Sequence, residues 1–428
     1  MPRDGHIHFT KILVCCLAMF AAQAGAADPT YDLYIANARV VVGDGKVLER
    51  ASVGIVDDRI TWVGPDEGGS GNAEVLINGE GKTVIPGLMD AHVHILSSDH
   101  LADEDSLNAY MSLIVPHWLE GMLLHGVTTI RTLGVPIRES RDVKRGIEAG
   151  AIQGPRVLTS GPGLTSPQGH PAATMFGQYP DLQRRFARVA SNEAEARAAI
   201  VEVIEAGMDS PLKVIFEGGE PGGEPYSILG TPALRLPREL LKAAVDEAHS
   251  RDYRISVHTH TYEDALIAVQ MGVDGLEHGV VSEPLPDDRL LEAMLERDIF
   301  LVSTLRLLEA TNQLDDLPVA AANLKALHEG GVRVVAGSDT PGGWTVPGLN
   351  TIYELRLLVK AGLAPSEAIR AATYNAAVAL EIEGDLGRVR KGLLADILVL
   401  SGNPLEDISV LHYPRYVIKG GEVVRGFE

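Results

Sequence analysis

Between Thr83 and Leu380, short apolar runs and helical patterns alternate, and that alternation limits the folds open to this chain. Strands are expected at residues 83–88, 127–133, 156–160, 212–216, 254–258, 275–278, 300–304 and 332–336. Helical stretches are expected at 191–206, 237–251, 261–271, 287–297, 319–330 and 364–380. Pro237 and the Pro365-Ser366 pair stand near helix starts, where proline is tolerated and serine preferred. Eight strand–helix alternations over roughly 250–300 residues predict an α/β fold, a (β/α)8 TIM-like barrel. A doubly wound open sheet is the rival, but no Gly-rich phosphate turn follows the first strand.

The two ends read differently. Residues 31–63 alternate apolar and polar positions, with turns at Gly43-Asp44-Gly45 and Asp57-Asp58. The same texture returns at 395–400 and 416–424, beside the turn at Gly420-Gly421. One small β-sandwich domain built from both ends, 27–82 and 383–428, would enclose the barrel at 83–382. Two unrelated edge hairpins are the blander alternative.

Arg3 and Lys11 precede an apolar run from Ile12 to Ala22, followed by Ala24-Gly25-Ala26. That is the pattern of a secretory signal peptide over residues 1–26, and it predicts a secreted or periplasmic protein with no membrane anchor after cleavage. The run falls short of the about 20 residues that a membrane span needs. Both cysteines, Cys15 and Cys16, lie in this segment, so thiolates are excluded as metal ligands in the mature chain. The formal net charge of −21 would repel a phosphate backbone, so nucleic acid is not an expected partner.

Several expected strands end in groups that bind metals, and in a barrel those ends share one face. The first leads into Pro86-Gly87-Leu88-Met89-Asp90-Ala91-His92-Val93-His94. Residues two apart on an extended chain point the same way, so His92 and His94 can grip one ion. Lys213 sits in an apolar strand, where an unpaired ammonium is costly. It is either an edge lysine or a neutral amine that adds carbon dioxide to become a carbamate able to bridge two cations; Glu217 is the fallback bridge. The fifth strand ends His258-Thr259-His260, where one histidine would be a ligand, His258 favoured, and the other either a group behind the ligands or a substrate contact. The sixth gives Glu277-His278, with Glu277 either orienting a ligand or facing solvent. After the eighth, Asp339 is either a turn cap or a metal-site carboxylate that moves a proton.

In their order along the chain, the matching phrases are residues 86–94, Lys213-Val214, His258, Glu277-His278-Gly279, Gly337-Ser338-Asp339 and residues 392–397. This set resembles the amidohydrolase superfamily, and more narrowly its imidazolonepropionase-related, prolidase-like branch. The resemblance implies two divalent metal ions, with zinc expected. His92 and His94 would hold one ion and His258 and His278 the other, bridged by carboxylated Lys213 and a hydroxide. Asp339 would bind the first ion and act as proton shuttle. The lysine sets the chain apart from one-metal members and favours amide hydrolysis, of dipeptides or N-acyl amino acids. A lactonase or phosphotriesterase-like activity, or a non-catalytic scaffold, are the alternatives. The resemblance further implies a homo-oligomer, and gives His170 and Tyr226 as contacts for the substrate carbonyl or carboxylate; a turn cap and a plain loop are their blander roles. His117, His125, His249, His328 and His412 are expected to be structural or solvated.

Overall fold

The computed structural model describes residues 31–66, 71–96, 103–225, 232–341 and 347–426. The expected signal segment and Tyr226 lie outside the described residues.

Strands β1 (Tyr31–Val41), β2 (Val47–Val56), β3 (Arg59–Gly64), β4 (Ala73–Asn78) and β5 (Thr83–Pro86) open the chain. The hairpin between β1 and β2 turns through Gly43 and Gly45, both at positive φ where glycine carries no steric cost. Three strands of the carboxy-terminal end join them: Ile397–Leu400 pairs antiparallel with β5, followed by Tyr416–Lys419 and Glu422–Gly426. Both ends therefore contribute to a single eight-stranded hydrogen-bonded sheet. Its period-two apolar face, including Ile35, Val53, Val84, Ile397 and Ile418, makes a core of its own.

The middle of the chain is an α/β fold of parallel sheets. Strands β6 (Leu88–His94), β7 (Val127–Thr132) and β8 (Arg156–Thr159) form one of them, which Thr340–Pro341 extends beside β6. The other runs in the order β10 (Ala187–Val189), β9 (Gly163–Thr165), β11 (Leu212–Ile215), β12 (Ile255–His258), β13 (Gly275–Glu277), β14 (Phe300–Ser303) and β15 (Val334–Ala336). The Asp339 N–H donates to His92 O at 2.8 Å, which ties the segment after β15 back to β6. Strands β11, β12, β14 and β15 are buried throughout, and β12, β14 and β15 read as largely apolar runs, as parallel strands between helices do. Two of the helices start where a side chain caps them. Asn192 accepts from Glu195 N ahead of Glu193–Glu205, and Thr261 accepts from Asp264 N ahead of Tyr262–Met271.

Three expectations need correction. The strand expected at 83–88 is two: Thr83–Pro86 belongs to the sheet of the chain ends, and the parallel set begins at Leu88. They part at Gly87, which passes so close to the Thr128 side chain that a Cβ would stand 2.2 Å from its Oγ1. The helix expected at 364–380 breaks into Pro365–Ala371 and Tyr374–Ala379 at Thr373, whose φ of −134° is not helical. The short strands Gly163–Thr165 and Ala187–Val189 carry too little periodicity to be read from sequence.

Candidate metal centre

The carboxyl ends of the parallel strands bring the expected residues together. His92 and His94 come from the end of β6, Lys213 from β11, His258 from the end of β12 and His278 from just beyond β13. Asp339 follows β15. With His170 and His260 they line one cavity of about 230 Å³, whose remaining wall is largely apolar and includes Leu133, Phe176, Phe186 and Leu307. The two imidazoles of the His-x-His pair converge on one carboxylate oxygen. His94 Nε2 lies 3.1 Å and His92 Nε2 3.4 Å from Asp339 Oδ1, while His278 Nδ1 lies 3.6 Å from Asp339 Oδ2.

On the other side His278 Nε2 faces His258 Nδ1 at 2.8 Å. The opposite nitrogen of His258 contacts Glu217 Oε2 at 2.7 Å, and His260 Nδ1 stands 3.3 Å from Glu217 Oε1. The fallback carboxylate therefore pairs with the two histidines of the fifth strand. Among the described residues, two trios of donors lie close enough for a cation: His258, His260 and His278, and His92, His278 and Asp339. His278 thus belongs to both groups, and His260 stands among the donors as well as on the cavity wall.

Electrostatics prepare this donor set. Burial lowers His92 to about 4 and His258 and His278 well below the ordinary histidine value, so all three are neutral at pH 7 with lone pairs to offer. Burial opposes ionisation of Asp339, but His92 and His94 override it and hold the carboxyl below its usual range. Glu217 follows the same logic, with His258 and His260 overriding burial. Lys213 Nζ is buried and makes no hydrogen bond, and burial brings its pKa down to about 8. An unpartnered nitrogen beside four buried histidines and a carboxylate suits a site that gains a further charged group. The donors are all nitrogen and oxygen, the set that zinc, manganese and cobalt share.

Backbone geometry marks the same place. His278 and Asp339 adopt left-handed φ of +68° and +48°, sparsely populated for residues with a Cβ. His170 stacks on His258 with ring centroids 5.5 Å apart, bonds Thr174 Oγ1 through Nδ1 at 2.8 Å, and is lowered by burial to about 4. Of the other histidines, His125, His249, His328 and His412 contact neighbours away from the cavity, and His117 is largely exposed.

Sequence reading passed over the groups behind the ligands. Asp90, fully buried, accepts from His92 N, Ser338 N and Thr351 Oγ1 and so links β6 to the Asp339 segment. Arg131, on β7, reaches Glu277 at 2.7 Å. The available signal was a charged side chain inside an apolar strand, the one that singled out Lys213.

The model of the amidohydrolase family matches residues 83–424. Ochratoxinase from Aspergillus niger is 29% identical, over 90% of this chain and 85% of its own length. The crystal structure of A. niger ochratoxinase aligns over 92% of this chain and 96% of that one, with TM-score 0.77 and 26% identity. A prolidase complexed with N-methylphosphonate-L-proline aligns over 92% of this chain and 100% of its own, with TM-score 0.75 and 27% identity. A Xaa-Pro dipeptidase with bound methionine, 24% identical, shares the fold at TM-score 0.78 over 92% of this chain and 100% of that one. With the match running through every histidine of the cavity, this chain belongs to the amidohydrolase family.

Proposed function

We propose that this chain is a binuclear metal-dependent hydrolase that cleaves the C–N amide bond of dipeptides or N-acyl amino acids. The observation that carries the reading is Lys213, buried and without a hydrogen bond at the wall of a cavity lined by six histidines and Asp339. The two parallel sheets support a (β/α)8 barrel whose strand ends face this cavity, and the sheet of the chain ends supports a small second domain. His92, His94 and Asp339 would hold one ion, His258 and His278 the other, and carboxylated Lys213 would bridge them. Divalent ions bound there, zinc by expectation, would lower the pKa of water and polarise the scissile carbonyl.

The protein's own groups do the rest. Asp339, kept ionised by His92 and His94, accepts a proton from the attacking water on a carboxylate oxygen. The same carboxyl then delivers that proton to the leaving nitrogen, so that an amine departs as the C–N bond breaks. His170 is neutral. In the tautomer in which Thr174 Oγ1 donates to Nδ1, its Nε2 carries the proton and donates to the substrate carbonyl or carboxylate. The apolar wall of Leu133, Phe176, Phe186 and Leu307 desolvates the rest of a small substrate. What ochratoxinase and the Xaa-Pro dipeptidase act on belongs to those proteins; hydrolysis within the amidohydrolase family is the common ground we carry over.

Parallel kinetics on dipeptides, N-acyl amino acids, lactones and aryl esters test the proposal. Turnover of the amides is expected; turnover of the esters alone would contradict it. Export to the periplasm or medium is part of the same proposal and rests on the sequence of the first 26 residues.

A further inference from the structure

Arg131 is the largest fully buried side chain of the described residues, on a strand with no exposed position. A guanidinium stays charged at any working pH, so its place in the interior requires partners for its donors. Those partners are unusual in where they sit. Nη1 donates to Glu277 Oε1 at 2.7 Å, and Nη2 donates to Ser256 Oγ at 2.6 Å and to Pro211 O at 2.8 Å. Ser256 Oγ in turn donates to Glu277 Oε1 at 2.5 Å.

Each anchor stands next to the cavity. Pro211 is two residues before Lys213, Ser256 two before His258, and Glu277 adjoins His278. Ser256 and His258 lie on one face of β12, because side chains alternate along a strand. The second oxygen of Glu277 contacts His92 Nδ1 at 2.7 Å. A carboxylate can only accept there, so Nδ1 carries the imidazole proton and Nε2 keeps its lone pair. That Nε2 is the nitrogen turned toward Asp339. One planar fork therefore ties together the segments that bear His92, Lys213, His258 and His278.

We infer that Arg131 is a positioning residue for the metal centre: through Glu277 it fixes the His92 ring and its tautomer, and through Pro211 and Ser256 it fixes the register of Lys213 and His258. The inference rests on the metal-site reading above. Lysine cannot replace this arginine, since a single ammonium cannot reach Glu277, Ser256 and Pro211 with the in-plane geometry of the fork. Ligand-orienting groups of this kind typically contribute a factor of about 10–100 to metal affinity.

The test uses the full chain as Arg131→Lys, Glu277→Gln and the double variant, with zinc affinity measured by chelator competition. Each single variant is expected to bind zinc about 10–100-fold more weakly. The double variant is expected to lose little more than either single one, because the two residues act through one contact. A purely structural role would lower metal-free thermal stability while leaving the affinity of the folded fraction unchanged, and that result would overturn the inference, as would additive losses. A crystal structure of metal-free Arg131→Lys supplies an arm independent of metal. A His92 ring turned away from Glu277 supports the inference, and an unmoved ring with the contact intact overturns it. Wild-type protein that binds no zinc would defeat the metal-site reading instead, and the crystal arm would still decide the role of Arg131 in holding His92.

Discussion

Lys213 concentrates the chemistry of the site in one nitrogen. Only a neutral amine can add carbon dioxide, and burial moves this amine from the ordinary lysine range to about 8, raising its neutral fraction at mild pH. Lys213→Ala should lose bound metal and amide hydrolysis together; metal analysis and kinetics on the same preparation check this, and unchanged activity would remove Lys213 from the site. Asp339 complements it, held ionised by the two imidazoles that converge on Oδ1. Farther back, Glu354 is fully buried, accepting from Ser303 Oγ at 2.5 Å and Arg306 N at 2.7 Å. Burial raises its pKa from 4.5 to about 7. A carboxyl raised in the folded state binds a proton that the unfolded chain releases, so its stabilising contribution is complete below 4.5 and fades as pH rises through 7. Thermal melts across that window should show wild type losing stability with rising pH and Glu354→Gln losing less; parallel profiles would contradict the assignment.

At the scale of elements, the site depends on how closely β6 approaches the segment after β15. Gly337 sits at that crossing, where a Cβ would stand 2.6 Å from His92 Cβ and 2.7 Å from Val302 Cγ1. Gly337→Ala should cost about 1–3 kcal/mol through overpacking and displace His92, read as a lower melting temperature with weaker zinc binding; a variant equal to wild type in both would refute the crowding. These crossings also explain what sequence could tell. His92, His94, His258 and His278 were legible because each falls at the end of an apolar run, and strand ends of parallel sheets share an edge. Lys213 was legible because an apolar strand seldom holds a cation. The division at Gly87 was hidden, since 83–94 reads as one extended stretch and only the approach of Thr128 separates its two sheets. The pairing of Glu217 with His258, and of Glu277 with Arg131, required side chains from strands far apart in the chain, which no local pattern records.

The whole molecule joins a parallel α/β body, a sheet shared by both chain ends and a cavity at the carboxyl ends of the parallel strands. The strongly negative net charge sits outside this logic; the cavity itself gathers neutral imidazoles around a few ionised carboxylates. Cations that bind only the folded state stabilise it by mass action, about 2.7 kcal/mol at a hundredfold excess over the dissociation constant. The sharpest test is therefore the metal content of the purified chain, prepared with zinc and bicarbonate and measured by mass spectrometry of the element. The account predicts about two ions per chain, bound by nitrogen and oxygen ligands alone. Fewer than about one ion per folded chain under those conditions would contradict it.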